Sequence, residues 1–255
     1  MSTSTHSLEI NNLTVSYDRV PVLHHISLNL HCGDCVALLG PNGAGKTTFL
    51  KAIAGLVPLE TGTIRLHGQS PQAIPREISY LPQREQVDWD FPITVRGLVE
   101  MGRYAHLGNW KPFSKRDAEI VDQALATLHL TELAGRQIKA LSGGQQQRAF
   151  LARSWAQQAH VYLLDEPFEG LDRNAQHDLA EALRQLSREG KLVIVSHHNL
   201  GNVAELFSHI ILLNGELVVE GSVEAVFKPE WLDKAFATEI YTGPHQHPHS
   251  HALDS

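Results

Sequence analysis

Cysteine, positive charge and long apolar runs are scarce in this chain, and each shortage removes a class of function. Only Cys32 and Cys35 occur among 255 residues, which excludes a disulfide framework and fits a reducing compartment. Their C-x-x-C spacing lies in "HCGDC", a turn leading into the apolar stretch "VALLG". Further Cys or His ligands at matched spacing, which a metal site would need, do not accompany it. A formal net charge of -7 argues against nucleic acid as a partner, because phosphate backbones are held by clustered Lys and Arg. No apolar run approaches the roughly 18 residues of a membrane helix, and the start "MSTSTHSLEI" has neither the basic nor the apolar region of a secretory signal. The expectation is a chain that does not span a membrane by itself. What is present, 42% hydrophobic and 19% charged residues, suits a globular α/β unit with a sizeable core.

Along the chain, Leu8 to Leu30 alternates apolar and polar residues around turn signals and predicts antiparallel strands. "CVALLG" is a short buried strand, and "GKTTFLKAIAGL" has helical spacing closed by a glycine. From about Gln83 to Ala159 the texture becomes helical, predicting an inserted subdomain at about 84–159. "VYLLD" and "LVIVS" then flank the helical "NAQHDLAEALRQLSREG" as a βαβ unit, and "HIILLNGELVVEG" predicts a hairpin turned at Asn214-Gly215. The expected domain plan is a disordered start over 1–7, one domain over 8–228, a helical extension over 229–242 and a histidine-rich tail over 243–255.

Two motifs carry chemistry on their own spacing. Gly40-Pro41-Asn42-Gly43-Ala44-Gly45-Lys46-Thr47, followed by Thr48, fits G-x-x-x-x-G-K-[ST] between a strand and a helix. Its glycines let backbone N–H groups converge on phosphate oxygens, Lys46 reaches the β and γ phosphates, and the Thr47 hydroxyl can ligate Mg²⁺. "VYLLDEP" sets two carboxylates at the end of a buried strand. Asp165 suits a Mg²⁺ contact, and Glu166 suits acceptance of a proton from an attacking water, although an acidic strand end can also merely cap the next element.

"GPNGAGKT", "LSGGQ" and "VYLLDEP", in this order and spacing, resemble the ATP-binding cassette of ABC transporters from about Leu8 to Phe227. The resemblance implies a RecA-like P-loop core with an antiparallel β subdomain and an inserted helical subdomain. It implies ATP and Mg²⁺ as cofactors, and hydrolysis that drives transport through separate permease subunits at the cytoplasmic face of the membrane. It also implies a head-to-tail homodimer, in which Ser142, Gly143, Gly144 and Gln145 of one copy close over the γ-phosphate held by the other. The simpler role of Ser142 is that of an N-cap.

By the same resemblance Tyr17 stacks on adenine, Gln83 senses Mg²⁺ and the nucleophilic water, and Asp172 lies in the loop crossing between paired cassettes. His198, in His198-Asn199-Leu200, matches the histidine that contacts the γ-phosphate, with His197 before it. Asn199 stands where the family usually has aspartate, and Glu169 where it has a small residue. "QVDWDFPITVRGLVEMGRYAHLG", "DEPFEGLD" and "SHHNLGNVAELF" resemble the subfamily that serves manganese, zinc or iron importers, which also implies a substrate-binding protein. An exporter subunit or a non-metal transporter is the alternative. A repair or translation ATPase would need a coiled-coil insertion or two cassettes, and a kinase or GTPase would lack "LSGGQ". Trp89, Phe91 and Met101 are expected either to help form a groove for a helix of the membrane subunit or to pack locally as subdomain core. His245, His247, His249 and His251 suit Zn²⁺, Ni²⁺ or Cu²⁺ better than Mn²⁺. A solvated tail is the simpler reading, since a flexible chain loses entropy on chelation.

Overall fold

The computed structural model describes residues 7–83, 89–107 and 111–236. The alternating N-terminal pattern folds as β1 (Ser7–Tyr17) paired antiparallel with β2 (Val20–His31), each burying its apolar positions on one face. Ser7, one residue outside the expected domain start, already pairs with His31 and is buried. β3 (Cys35–Leu39) leads through the glycine loop into α1 (Lys46–Ile53), and β4 (Thr61–Leu66) returns to β1, giving a three-stranded sheet in the order β2-β1-β4.

A second sheet is built from β3 with β5 (Ile78–Leu81), β6 (Val161–Asp165), β7 (Leu192–Ser196), β8 (His209–Asn214) and β9 (Glu216–Ser222). Its order is β5-β6-β7-β3-β8-β9, parallel throughout except for the β8–β9 hairpin. In that hairpin Asn214 stays paired with Glu216, and Gly215 alone makes the turn at φ 72°.

Both faces of this sheet are covered, which is why its central strands read as unbroken apolar runs. One face packs on α1 and the small sheet through Leu38, Phe49, Leu50, Leu163 and Ile194. The other packs on the helical subdomain through Tyr162, Leu164, Val193 and Val195. Each such fully buried side chain contributes about 1.5–3 kcal/mol. The two-residue period therefore puts Asp165, like Val161 and Leu163, on the phosphate-loop face, and Ser196, like Leu192 and Ile194, beside it.

The helical part comprises α2 (Val95–Glu100), α3 (Tyr104–Leu107), α4 (Lys115–Thr127) and α5 (Gly143–Ala156). Ser114 caps α4 in a reciprocal box with Asp117, whose other oxygen accepts a hydrogen bond from buried Arg103 at 3.0 Å. Arg103 also donates to the Ala156 carbonyl at 2.7 Å, tying the start of α4 to the end of α5. The Ser114 hydrogen bonds, followed by the Arg103 guanidinium, hold the Asp117 carboxyl down at about 2.

After the core come α6 (Arg173–Arg188), crossing between β6 and β7, then α7 (Val203–Leu206), α8 (Val223–Val226) and α9 (Pro229–Phe236). Trp231, Leu232 and Phe236 of α9 pack on the helical-side core. The rest of the expected extension and the four tail histidines lie outside the described residues. Among the described residues no helix is long and apolar enough to cross a membrane.

Candidate functional site

The glycine loop is shaped by backbone crowding. Gly40 leaves β3 so close to β8 that a Cβ would lie 2.0 Å from the Leu213 carbonyl oxygen. Gly45 enters α1 at φ 91°, a conformation natural to glycine. The hairpin turn braces the loop from below: Gly215 N–H donates to the Ala44 carbonyl at 3.0 Å, and its own carbonyl accepts from His24 N–H at 2.8 Å. Lys46 is buried, with Nζ donating to the Gly40 and Pro41 carbonyls at 2.8 and 2.9 Å. A cleft of about 320 Å³ opens over the loop, lined by Val22, Asn42, Gly43, Ala44, Gly45, Lys46, Thr47, Thr48, Gln83 and Glu166. The positive end of α1 faces an anion placed there.

At the end of β6 the two carboxylates diverge. Asp165 is buried, with Oδ1 accepting from the Ser196 hydroxyl at 2.6 Å. Its Oδ2, also buried, accepts no hydrogen bond among the described residues. Glu166 has φ 51°, a left-handed conformation that ends the strand, and its N–H donates to Ser196 Oγ at 2.8 Å. The charge of Asp165 and burial both raise the Tyr80 hydroxyl well above the usual phenol range, burial having the larger effect. Among the described residues no group of three or more His, Cys, Asp or Glu side chains could hold a metal. A buried carboxylate oxygen left open at the end of β6, with the Thr47 hydroxyl in the cleft lining, does fit Mg²⁺, which is bound through few protein ligands together with phosphates and water.

The two histidines after β7 part company. His197 is buried, packs edge-on against Phe168 at 5.4 Å and lies 5.6 Å from Phe207, with Nε2 2.8 Å from Asn202 Oδ1. Burial lowers its affinity for a proton. His198 is exposed. Asn199 is explained locally: its side chain accepts from Gly201 N–H at 3.0 Å and caps the following turn, as an aspartate would. Glu169 is exposed two residues before Leu171, and nothing in the structure accounts for its departure from the family pattern.

The remaining expected site residues lie away from the cleft lining. Tyr17, 45% exposed, ends β1. Ser142 caps α5 in a reciprocal box with Gln145: the Ser142 side chain accepts from Gln145 N–H at 3.4 Å, and Gln145 Oε1 accepts from Ser142 N–H at 3.0 Å. Gly143 and Gly144 form the first turn of that helix. Asp172 caps α6 through Ala175 N–H at 2.9 Å. Of the residues named for a docking groove or local core, Trp89 is partly buried and packs edge-on against Phe150 at 5.0 Å, against the subdomain core, whereas Phe91 and Met101, like Tyr104, are exposed. Sequence reasoning missed Val22, the Gly215 brace and Ser196. Only Ser196 carried a signal, as the polar end of the apolar run "LVIVS".

Known proteins agree with this geometry. The ABC transporter family model matches residues 23–169. The probable metal transport system ATP-binding protein of Chlamydia muridarum is 44% identical over 237 residues, covering 93% of this chain and 92% of that protein. The zinc transport system ATP-binding protein TroB of Treponema pallidum is 40% identical over 240 residues, covering 94% and 90%. The manganese transport system ATP-binding protein MntB of Bacillus subtilis is 42% identical over 233 residues, covering 91% and 93%. A solved ATP-binding subunit of an ABC transporter superposes with a TM-score of 0.77 at 25% identity, covering 92% of this chain and 97% of that one. With its phosphate loop, paired carboxylates and signature helix in this fold, the chain belongs to the ABC transporter family, as one of its ATP-hydrolysing cassettes.

Proposed function

We propose that this cassette powers import of a divalent transition metal, manganese, zinc or iron, from the cytoplasmic face of a membrane. It acts there as an ATP-driven homodimer beneath separate permease subunits fed by a substrate-binding protein. The observation that carries the catalytic reading is the convergence of Lys46, Thr47, Gln83 and Glu166 on one cleft, with Glu166 following directly on Asp165 and its open oxygen at the end of β6. The cargo rests on relatives of near-equal length named for metal, zinc and manganese transport.

Lys46 and the loop N–H groups hold the β and γ phosphates, and Tyr17 offers a ring to adenine, a contact typically worth about 1–3 kcal/mol. Thr47 and Asp165 would hold Mg²⁺, which when bound neutralises phosphate charge. Glu166 accepts the proton of the attacking water, while Gln83 and His198 orient that water against the γ-phosphate. Ser142 to Gln145 lie at the N-terminal end of α5, where N–H groups and the helix dipole suit a phosphate presented by a second copy, and Asp172 belongs to the crossing loop between the copies. Exposed Phe91, Met101 and Tyr104 supply an apolar surface for a helix of the membrane subunit.

The test reconstitutes the cassette with its permease in vesicles and measures ATP-dependent accumulation of Mn²⁺, Zn²⁺ and Fe²⁺, with Glu166→Gln as the inactive control. Uptake of one of the three is expected. Transport of an organic solute instead, or efflux, would end the metal-import reading while leaving the ATPase intact.

A further inference from the structure

We propose that Ser196 is a positioning residue that sets both carboxylates of the site at once. This rests on the roles given above to Asp165 and Glu166. β6 and β7 run side by side with Asp165 opposite Ser196, and the Ser196 hydroxyl makes two hydrogen bonds across that pair. It donates to Asp165 Oδ1 at 2.6 Å and accepts from Glu166 N–H at 2.8 Å. Ser196 is 0% exposed and Asp165 1% exposed, so water does not substitute for either bond.

The rest of the strand, Leu192 to Val195, is apolar and buried. Another apolar residue at 196 would suit the strand equally well, but it would leave a buried carboxylate oxygen of Asp165 and the partly buried N–H of Glu166 without this partner. The serine therefore answers to its neighbours' chemistry rather than to its own strand.

Each bond has a consequence. Occupying Oδ1 fixes the rotation of the Asp165 carboxyl and leaves Oδ2 as its open acceptor on the phosphate-loop face. Holding the Glu166 N–H turns that backbone into the left-handed region, φ 51°, which a non-glycine residue adopts only when its surroundings hold it there. The same turn lets Glu166 line the cleft with Thr47 and Gln83, while Asp165 is buried and is not part of that lining. One hydroxyl thus couples the carboxylate assigned to the metal with the one assigned to the water.

The test compares Ser196→Ala, Ser196→Cys and Ser196→Thr with wild type and with Glu166→Gln. Removing the hydroxyl is expected to lower kcat about 10–100-fold, the usual cost of losing a group that orients a metal ligand, with the KM for ATP changed less than about threefold. ATP binding in EDTA should be unchanged. Mn²⁺ binding in the presence of a non-hydrolysable ATP analogue, read by electron paramagnetic resonance, should weaken by about tenfold. Ser196→Thr restores a hydroxyl and should recover most of both values. Ser196→Cys keeps the side-chain volume and carries the same comparison if the alanine variant folds poorly. Wild-type kcat and Mn²⁺ affinity in the alanine and cysteine variants would overturn the proposal, as would equal losses in the threonine variant. Normal turnover by Glu166→Gln would instead overturn the role of Glu166, while the Mn²⁺ measurement still reports on Asp165.

Discussion

Two adjacent histidines follow the end of β7, and their surroundings differ although their ring centroids lie 6.0 Å apart. His197 points into the helical-side core between Phe168 and Phe207, and His198 emerges exposed. His198→Ala is expected to cut turnover by about 10²-fold or more without moving the melting temperature. His197 should act on stability. Burial pushes its pKa below 6.5, so between its folded value and 6.5 the unfolded chain binds more protons than the folded one. Stability is then complete above about pH 6.5 and falls as the pH drops through that window. Denaturant titrations from pH 7 to 5 should therefore show a shallower loss for His197→Gln than for wild type. Equal slopes would remove His197 as the source. The choice of His198 rests on the match of His198-Asn199-Leu200 to the family pattern; the burial of His197 and the exposure of His198 were not legible in the sequence, because both residues lie beyond the end of β7.

At the scale of elements, α5 shows that a local role and a functional one can share the same residues. Ser142 and Gln145 complete a reciprocal cap, so the simple structural account of "LSGGQ" holds, and it leaves the first-turn N–H groups of Gly143 and Gly144 at the helix start. Ser142→Ala should cost about 0.5–2 kcal/mol by thermal or denaturant melting, the usual price of a lost N-cap. If the turn also closes over a second copy's phosphate, turnover should fall by far more than that stability loss explains. A loss of activity only in proportion to unfolding would leave the cap as its sole duty. The order of elements followed from apolar periodicity and glycine punctuation, as for β3, the loop and α1. The tie that Arg103 makes between Asp117 of α4 and the Ala156 carbonyl of α5 did not, because Arg103 is 14 and 53 residues from its two partners and meets them only when the helices pack.

At the scale of the whole molecule, the signature turn and the phosphate loop lie in one chain, yet the cleft lining includes none of Ser142, Gly143, Gly144 or Gln145. A second copy would supply them. Sedimentation of Glu166→Gln is expected to show a dimer with Mg-ATP and a monomer in EDTA. A strict monomer in both conditions, with the permease present, would count against ATP-driven pairing. The sequence by itself determined the α/β class, the phosphate loop, the carboxylate pair and the cap of α5, because these depend on spacing within a few residues and on backbone rules that act locally. Only the tertiary structure decided that Gly215 braces the loop, that Val22 lines the cleft, that Trp89 packs against Phe150 and that Ser196 bridges Asp165 and Glu166. Those contacts join segments distant in the chain, and only burying both faces of the sheet at once brings them together, as when the pairing of β6 with β7 sets Asp165 opposite Ser196.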